Sequence, residues 1–401
     1  AVNYIRAENN GAIVLEARGG SIGEVEYEKD AQGKYVLDEA GNKVVARDTN
    51  NGIRILNSAT ASSSANDTNV SNVILRAQDN VYVTGVASTD GKTAVAQGPA
   101  GTLNLTVAST NSNSSLKNVG IYVDGALNLE NAASASEKAS VYVTGDLKLD
   151  NGVSISAPDT YLGSGKDIIV NNAQSIKGTD KLALKAAHDV LVNSGELASK
   201  VLFLQAGNNV QLNGGNLSGL ESLFVYAGND LQQNGAVITA HNESNNARAL
   251  LSASDKIMLT KGSLTADEAE MIAYAEHHDH SPNIVESYTE GAADNYQMSV
   301  TKLSLNGQGI SLDSKLNQLQ NVIVDRRSSG TVVIGNGNTT DADLNVSLGY
   351  TSESDVNEFD GSLTVHNYAS GEANKIVVNQ ILGATGDIKL INDEANVEIV
   401  G

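Results

Sequence analysis

The densest set of ligand-type side chains is His277-His278-Asp279-His280, which holds three of the six histidines, with Glu276 and Glu286 close by. Imidazole and carboxylate ligands suit zinc, nickel or copper. Adjacent histidines, however, point in different directions on any regular element. No pair of histidines brackets a Glu at i and i+4, as a zinc hydrolase helix requires. The run reads as a solvated loop that binds metal adventitiously. His277, His278 and His280 are weak metal candidates, and no cofactor is expected. Acidic turns such as Asp79-Asn80, Asp189, Asn229-Asp230, Asp255 and Asp387 do not form the Gly-Gly-x-Gly-x-Asp series of calcium β-rolls. Hydrolysis of polysaccharide needs carboxylates at a controlled separation on one face. Asp341 with Asp343, or Asp325 beside Arg326-Arg327, can be nominated, but none holds a position that singles it out. No catalytic residue is assigned, and the chain is not expected to be an enzyme.

The elements that would carry such groups follow a repeat. Around Val210, Leu202 and Leu204 lie eight and six residues before, Leu212 two after, Gly215 five after and Leu217 seven after. The same frame fits Val190, Leu231 and Ile257. Anchors fall at Leu127, Leu147, Ile168, Val190, Val210, Leu231 and Ile257, at steps of 20, 21, 22, 20, 21 and 26 residues. Short apolar alternations at period two mean half-buried strands. A fixed period of this length means that each strand pairs with its equivalent in the next coil. The fold expected is all-β, a right-handed parallel β-helix of about 20–22 residues per coil, spanning 1–401 as one elongated domain. Its most regular coils are 119–264, and 298–401 holds further irregular coils. The long last step contains His241–Arg248, a bulged polar loop. Phe203 and Phe224 share one frame position and should stack outward, and Asn208 and Asn229 could form an amide ladder.

Two segments break the repeat. Residues 24–48 read as a β-meander, with turn chemistry at Gln32-Gly33 and Ala40-Gly41-Asn42. Residues 266–297 read as an extra-helical insertion, in which Ala266–His278 could form one short helix before a loop at Pro282. Tyr27, Tyr35, Tyr274, His278 and Tyr288 lie on these segments and are the candidate binding surface.

Composition agrees with thin stacked coils. Aromatics are 4%, Gly is frequent (38), Pro is rare (3), and Trp and Cys are absent. A net charge of −21 disfavours nucleic acid and anionic membrane surfaces. No segment has the length and apolarity of a membrane span, and the N-terminus lacks a signal-peptide pattern.

The coils Leu202-Phe-Leu-Gln-Ala-Gly-Asn-Asn-Val-Gln-Leu and Leu223-Phe-Val-Tyr-Ala-Gly-Asn-Asp-Leu, with Ala384-Thr-Gly-Asp-Ile-Lys-Leu390, resemble the repeats of the filamentous haemagglutinin family. These are large exported bacterial adhesins, many secreted by the two-partner route. The resemblance covers chiefly residues 119–264. It implies a non-catalytic shaft of a bacterial surface or secreted adhesin, extracellular or on the cell surface. The shaft would present insertions to a host-cell or bacterial receptor, protein or glycan, as part of a longer chain. The Asn-Pro motifs of the family's secretion domain are missing. The alternatives are a polysaccharide-processing or polysaccharide-binding β-helix of the lyase or tail-spike type, and the shaft of a contact-dependent toxin or a pure structural spacer.

Overall fold

The protein is described from a computed structural model. It covers residues 12–19, 21–22, 29–36, 71–77, 80–86, 102–109, 116–124, 126–131, 134–150, 152–171, 173, 175–275, 281–325, 327–337, 342–349, 360–369, 374–378 and 384–399. The described residues are all-β: they form many strands and no helix. They belong to two compact units, Ala1–Ala186 and Ala187–Gly401.

In the first unit the strands form two parallel ladders: register partners lie 60 residues apart at Ala12–Asn72, 32 at Ser71–Leu103 and 38 at Asn80–Asn118, and 19 to 25 apart in the pairings that follow. One runs through Ala12–Ala17, Ser71–Ala77, Thr102–Ser109, Ala126–Asn131, Leu147–Leu149 and Ile168–Asn171. The other runs through Asn80–Val86, Leu116–Asp124, Ala135–Val143, Ser154–Ser164 and Ser175–Ala186. Parallel neighbours cannot be joined by a tight turn, so the chain must travel a whole repeat before it pairs. The sequence anchors Leu127, Leu147 and Ile168 are direct partners and fully buried. Within residues 24–48, Lys29 and Tyr35 form an antiparallel bridge around the turn at Gly33. The rest of that expected meander lies outside the described residues, apart from 29–36.

The second unit repeats the plan. Val190, Val210, Leu231, Ile257, Ile284, Ile310, Val332, Leu363 and Ile388 are successive partners in one parallel ladder. Among the described residues the ladder therefore continues as far as Ile388–Asn392, through a stretch where the alternation in sequence is faint. Two residues further along, six of these nine strands place Val192, Leu212, Leu259, Leu312, Ile334 and Val365, all fully buried. Each buried aliphatic side chain contributes about 1.5–3 kcal/mol.

The turns before the anchors are tied by side chains. Asp189, Asn209 and Asp230 each use Oδ1 to accept the backbone N–H of the equivalent residue one repeat later, at 2.8, 3.1 and 3.2 Å. Backbone donors that leave the ladder are thereby satisfied. The amide ladder expected between Asn208 and Asn229 forms one residue over: Nδ2 of Asn229 donates to Asn209 at 3.0 Å, and Nδ2 of Asn208 to Asp189 at 2.9 Å.

The short helix expected over 266–278 is corrected: residues up to Ala273 belong to the strand Ile257–Ala273, and 276–280 lie outside the described residues. Leu264 and Ala266 point inward, then the alternation slips by one residue at Asp267 and resumes at Ala269, Met271 and Ala273. That slip spaces the alanines at three and four residues, the spacing of a helix face. Ladder partners at Ala249, Leu251 and Ala253 decide the matter for strand. Residues 284–286 also stay in a ladder, paired with 257–259.

Candidate functional site

The slip at Asp267 has a partner in the neighbouring repeat. Ala240 pairs with Ala266, and Arg248 pairs with Glu268. Seven residues, His241 to Ala247, therefore lie opposite the single residue Asp267. The surplus forms a loop, and the buried Asp267 carboxylate closes its base. Oδ2 accepts the N–H of Asn242 at 3.2 Å and of Ala247 at 2.9 Å, while Oδ1 meets His241 Nδ1 at 2.5 Å. Burial pushes this carboxyl up. The His241 ring and the two N–H groups outweigh burial and hold it below the ordinary carboxylate range.

The loop is organised from within. Asn242 donates to the Leu220 carbonyl and to Asn246 Oδ1, both at 2.9 Å, and accepts the N–H of Ser244 at 3.0 Å. Asn245 takes the left-handed conformation, φ 52°, that Asn tolerates at a turn.

His241 is half exposed and lines a groove of about 290 Å³ with Asp267, Thr265, Ser299, Gln318 and Gln320. Thr265, Ser299 and Gln318 are successive register partners. Hydroxyl, hydroxyl and amide therefore follow one another at the strand spacing, about 4.8 Å. His241 also borders a more open depression with Lys200, Leu220 and Glu221. A carboxylate only accepts, so Nδ1 of His241 carries a proton and Nε2 faces away from Asp267. The groove can bind a polar, hydroxyl-rich ligand, and the dyad can orient a ligand hydroxyl or receive its proton.

The residues nominated from sequence lie elsewhere or outside the described set. His277, His278, His280 and Tyr27 are outside it. Tyr35 is exposed in the first unit, with the Lys29 ammonium 5.3 Å from its ring centre. Tyr274 is 64% exposed, and Tyr288 is half-buried and bonded to Lys315. Neither lines the groove. Asp325 is held by the Arg327 guanidinium at 2.8 and 2.9 Å, and Asp343 accepts the Lys375 N–H at 3.1 Å. Both are tied locally, while Asp341 and Arg326 are outside the described residues. Glu286, expected beside the histidines in a solvated insertion, is buried. Phe203 and Phe224 are register partners as expected, with ring centres 6.5 Å apart but planes tilted by 53°; the stacked rings are Phe224 and Tyr226, 6.4 Å apart and 13° from parallel.

Sequence reasoning reached the loop at 241–248 but missed its partner. The signal was there: an acid at the point where an apolar alternation slips, in the repeat that follows the long step from Leu231 to Ile257. No protein-family model, no curated protein and no solved structure matches this chain.

Proposed function

We propose that the chain is a right-handed parallel β-helix forming part of the shaft of a bacterial surface or secreted attachment protein. Its work in this reading is mechanical: stacked aliphatic ladders stiffen the segment, and departures from the repeat contact a receptor, protein or glycan. The observation that supports it is the parallel, in-register pairing of the strands at Val190, Val210, Leu231 and Ile257, the same anchors that the sequence periodicity picks out. The contact surface best supported by geometry is the groove at Thr265, Ser299 and Gln318 with the 241–247 loop, alongside the segment at 24–48 and the parts of 266–297 outside the ladders, at Tyr274 and Tyr288.

A second reading, a polysaccharide-processing β-helix, is favoured by one feature, the His241–Asp267 pair at an open groove. One experiment separates them. The labelled protein is tested for binding to cells and to a panel of neutral and acidic polysaccharides, with product release followed in parallel. Retained binding without products, weakened about tenfold by combined Thr265→Ala and Gln318→Ala substitution, is expected. Release of shortened products, abolished by His241→Ala, would replace the attachment reading with the enzymatic one.

A further inference from the structure

The inward ladder position two residues after the anchors is aliphatic except at Gln233 and Glu286, which flank Leu259 as its register partners. Gln233 is fully satisfied. Its Nε2 donates to the carbonyls of Ala236 at 2.8 Å and Ser263 at 2.9 Å, and its Oε1 accepts the hydroxyl of the buried Tyr296 at 3.0 Å. Glu286 is not. Its Oε2 accepts Nδ2 of the fully buried Asn317 at 2.8 Å, but Oε1 has no partner. Oδ1 of Asn317 has none either. The orientation of that amide is fixed, because the same Nδ2 also donates to the Leu312 carbonyl at 3.3 Å. Two residues already joined by one hydrogen bond thus each bury an acceptor without a donor. Buried acceptors of this kind are costly, and a proton on Oε1 would turn one of the two into a donor.

We propose that Glu286 is held as the neutral carboxylic acid, that Oε1–H donates to Asn317 Oδ1 while Asn317 Nδ2–H donates to Oε2, and that this two-bond acid–amide pair is a pH-sensitive clasp fixing the turn Asp313–Asn317 to the core. The charges around it agree. Asp313 lies in the same turn and opposes ionisation, and the Tyr296 hydroxyl, itself raised by burial and by Glu286, supplies no positive charge. Lys315, also in that turn, is exposed and paired with Glu290 at 2.9 Å. Burial pushes the carboxyl up, the Asn317 bond draws it partly back, Asp313 pushes it up again, and it titrates at about 7. The unfolded group titrates near 4.5. The folded chain therefore keeps a proton that the unfolded chain releases. The clasp's contribution is complete below 4.5, declines as pH rises towards 7, and is gone above it.

The test compares the full chain with Glu286→Gln, whose side-chain amide makes the same two bonds at any pH. Thermal unfolding and amide exchange across 313–319 are measured from pH 5 to 8.5, and the carboxyl stretch of the protonated acid is read as an infrared difference between the two proteins. The expected results are a Tm gap in favour of Glu286→Gln that opens between pH 5 and 7.5, faster exchange of the turn in the parent protein alone above neutrality, and a protonated-acid band at pH 5.5 that fades near pH 7. Parallel pH profiles for the two proteins would overturn the proposal. So would recovery of the parent's turn at pH 8.5 on adding sodium, potassium or calcium, since a cation would then be bridging the two oxygens. If the Gln variant does not fold, Glu286→Leu, which restores the aliphatic ladder, serves for the same profiles.

Discussion

Two acids carry opposite pH signatures because their partners differ. Asp267 is buried against three donors and is stabilised as the anion; Glu286 is buried against one donor and an idle acceptor. The Asp267 contribution is present above the ordinary carboxylate value of 3.8 and is lost as pH falls through the lower folded value. Asp267→Asn replaces an acceptor with an NH₂ group that can meet the N–H of Asn242 or Ala247 head on. It is expected to cost about 1–3 kcal/mol and to speed amide exchange at Asn242 and Ala247, with the strand core unaffected. Unchanged exchange at those two amides would mean that the loop holds its shape without the carboxylate. Because His241 leans on Asp267, the same substitution should also weaken whatever ligand the groove takes.

At the level of strands and turns, the stacked turns at Gly207 and Gly228 leave no room for a side chain at either glycine. A Cβ on Gly228 would lie 2.0 Å from the Gly207 carbonyl oxygen, and one on Gly207 would lie 2.0 Å from that of Ala187. Gly228→Ala must push neighbouring backbone apart and is expected to cost about 1–3 kcal/mol, read as a lowered urea midpoint; a neutral effect would show that the turns can spread. Outward positions alternate in charge along the ladders, Lys138–Asp159–Lys181 in one unit and Arg248–Glu268–Lys302 in the other. Opposite charges directly across a strand pair favour the observed register over a shifted one. Much of this was legible in sequence. The anchors from Val190 to Ile257 and the Phe203–Phe224 pairing follow from counting, since a ladder demands equal spacing between equivalent residues. The strand Ile284–Glu286 was not legible, because three residues are too few to display alternation and Pro282 gives the segment the look of a loop. Asp267 was missed for a different reason: its role exists only because seven residues of one repeat face one residue of the next, and register is not visible in a single strand.

For the molecule as a whole, the charge balance of −21 weighs on every ladder, since 47 acids and 26 bases share surfaces that stacking brings close together. Local pairs such as Lys302–Glu268 at 3.4 Å and Lys375–Glu398 at 3.1 Å offset part of the repulsion, but such exposed pairs are worth little each. The excess negative charge acts over distances that salt controls: screening lengths are about 30 Å at 0.01 M salt and about 10 Å at 0.1 M. Raising sodium chloride from about 0.01 to 0.1 M at pH 8 is therefore expected to raise Tm, by roughly 2–4 °C for each kcal/mol of repulsion relieved. A fall in Tm would mean that attractive pairs outweigh the net charge. Glu286 is shielded from this effect, because its cost is desolvation and a missing donor, which mobile ions at the surface do not relieve. The salt response should then be the same in the parent protein and in Glu286→Gln, whereas their pH responses differ. Measuring both axes separates a surface that repels itself from a core that holds one proton.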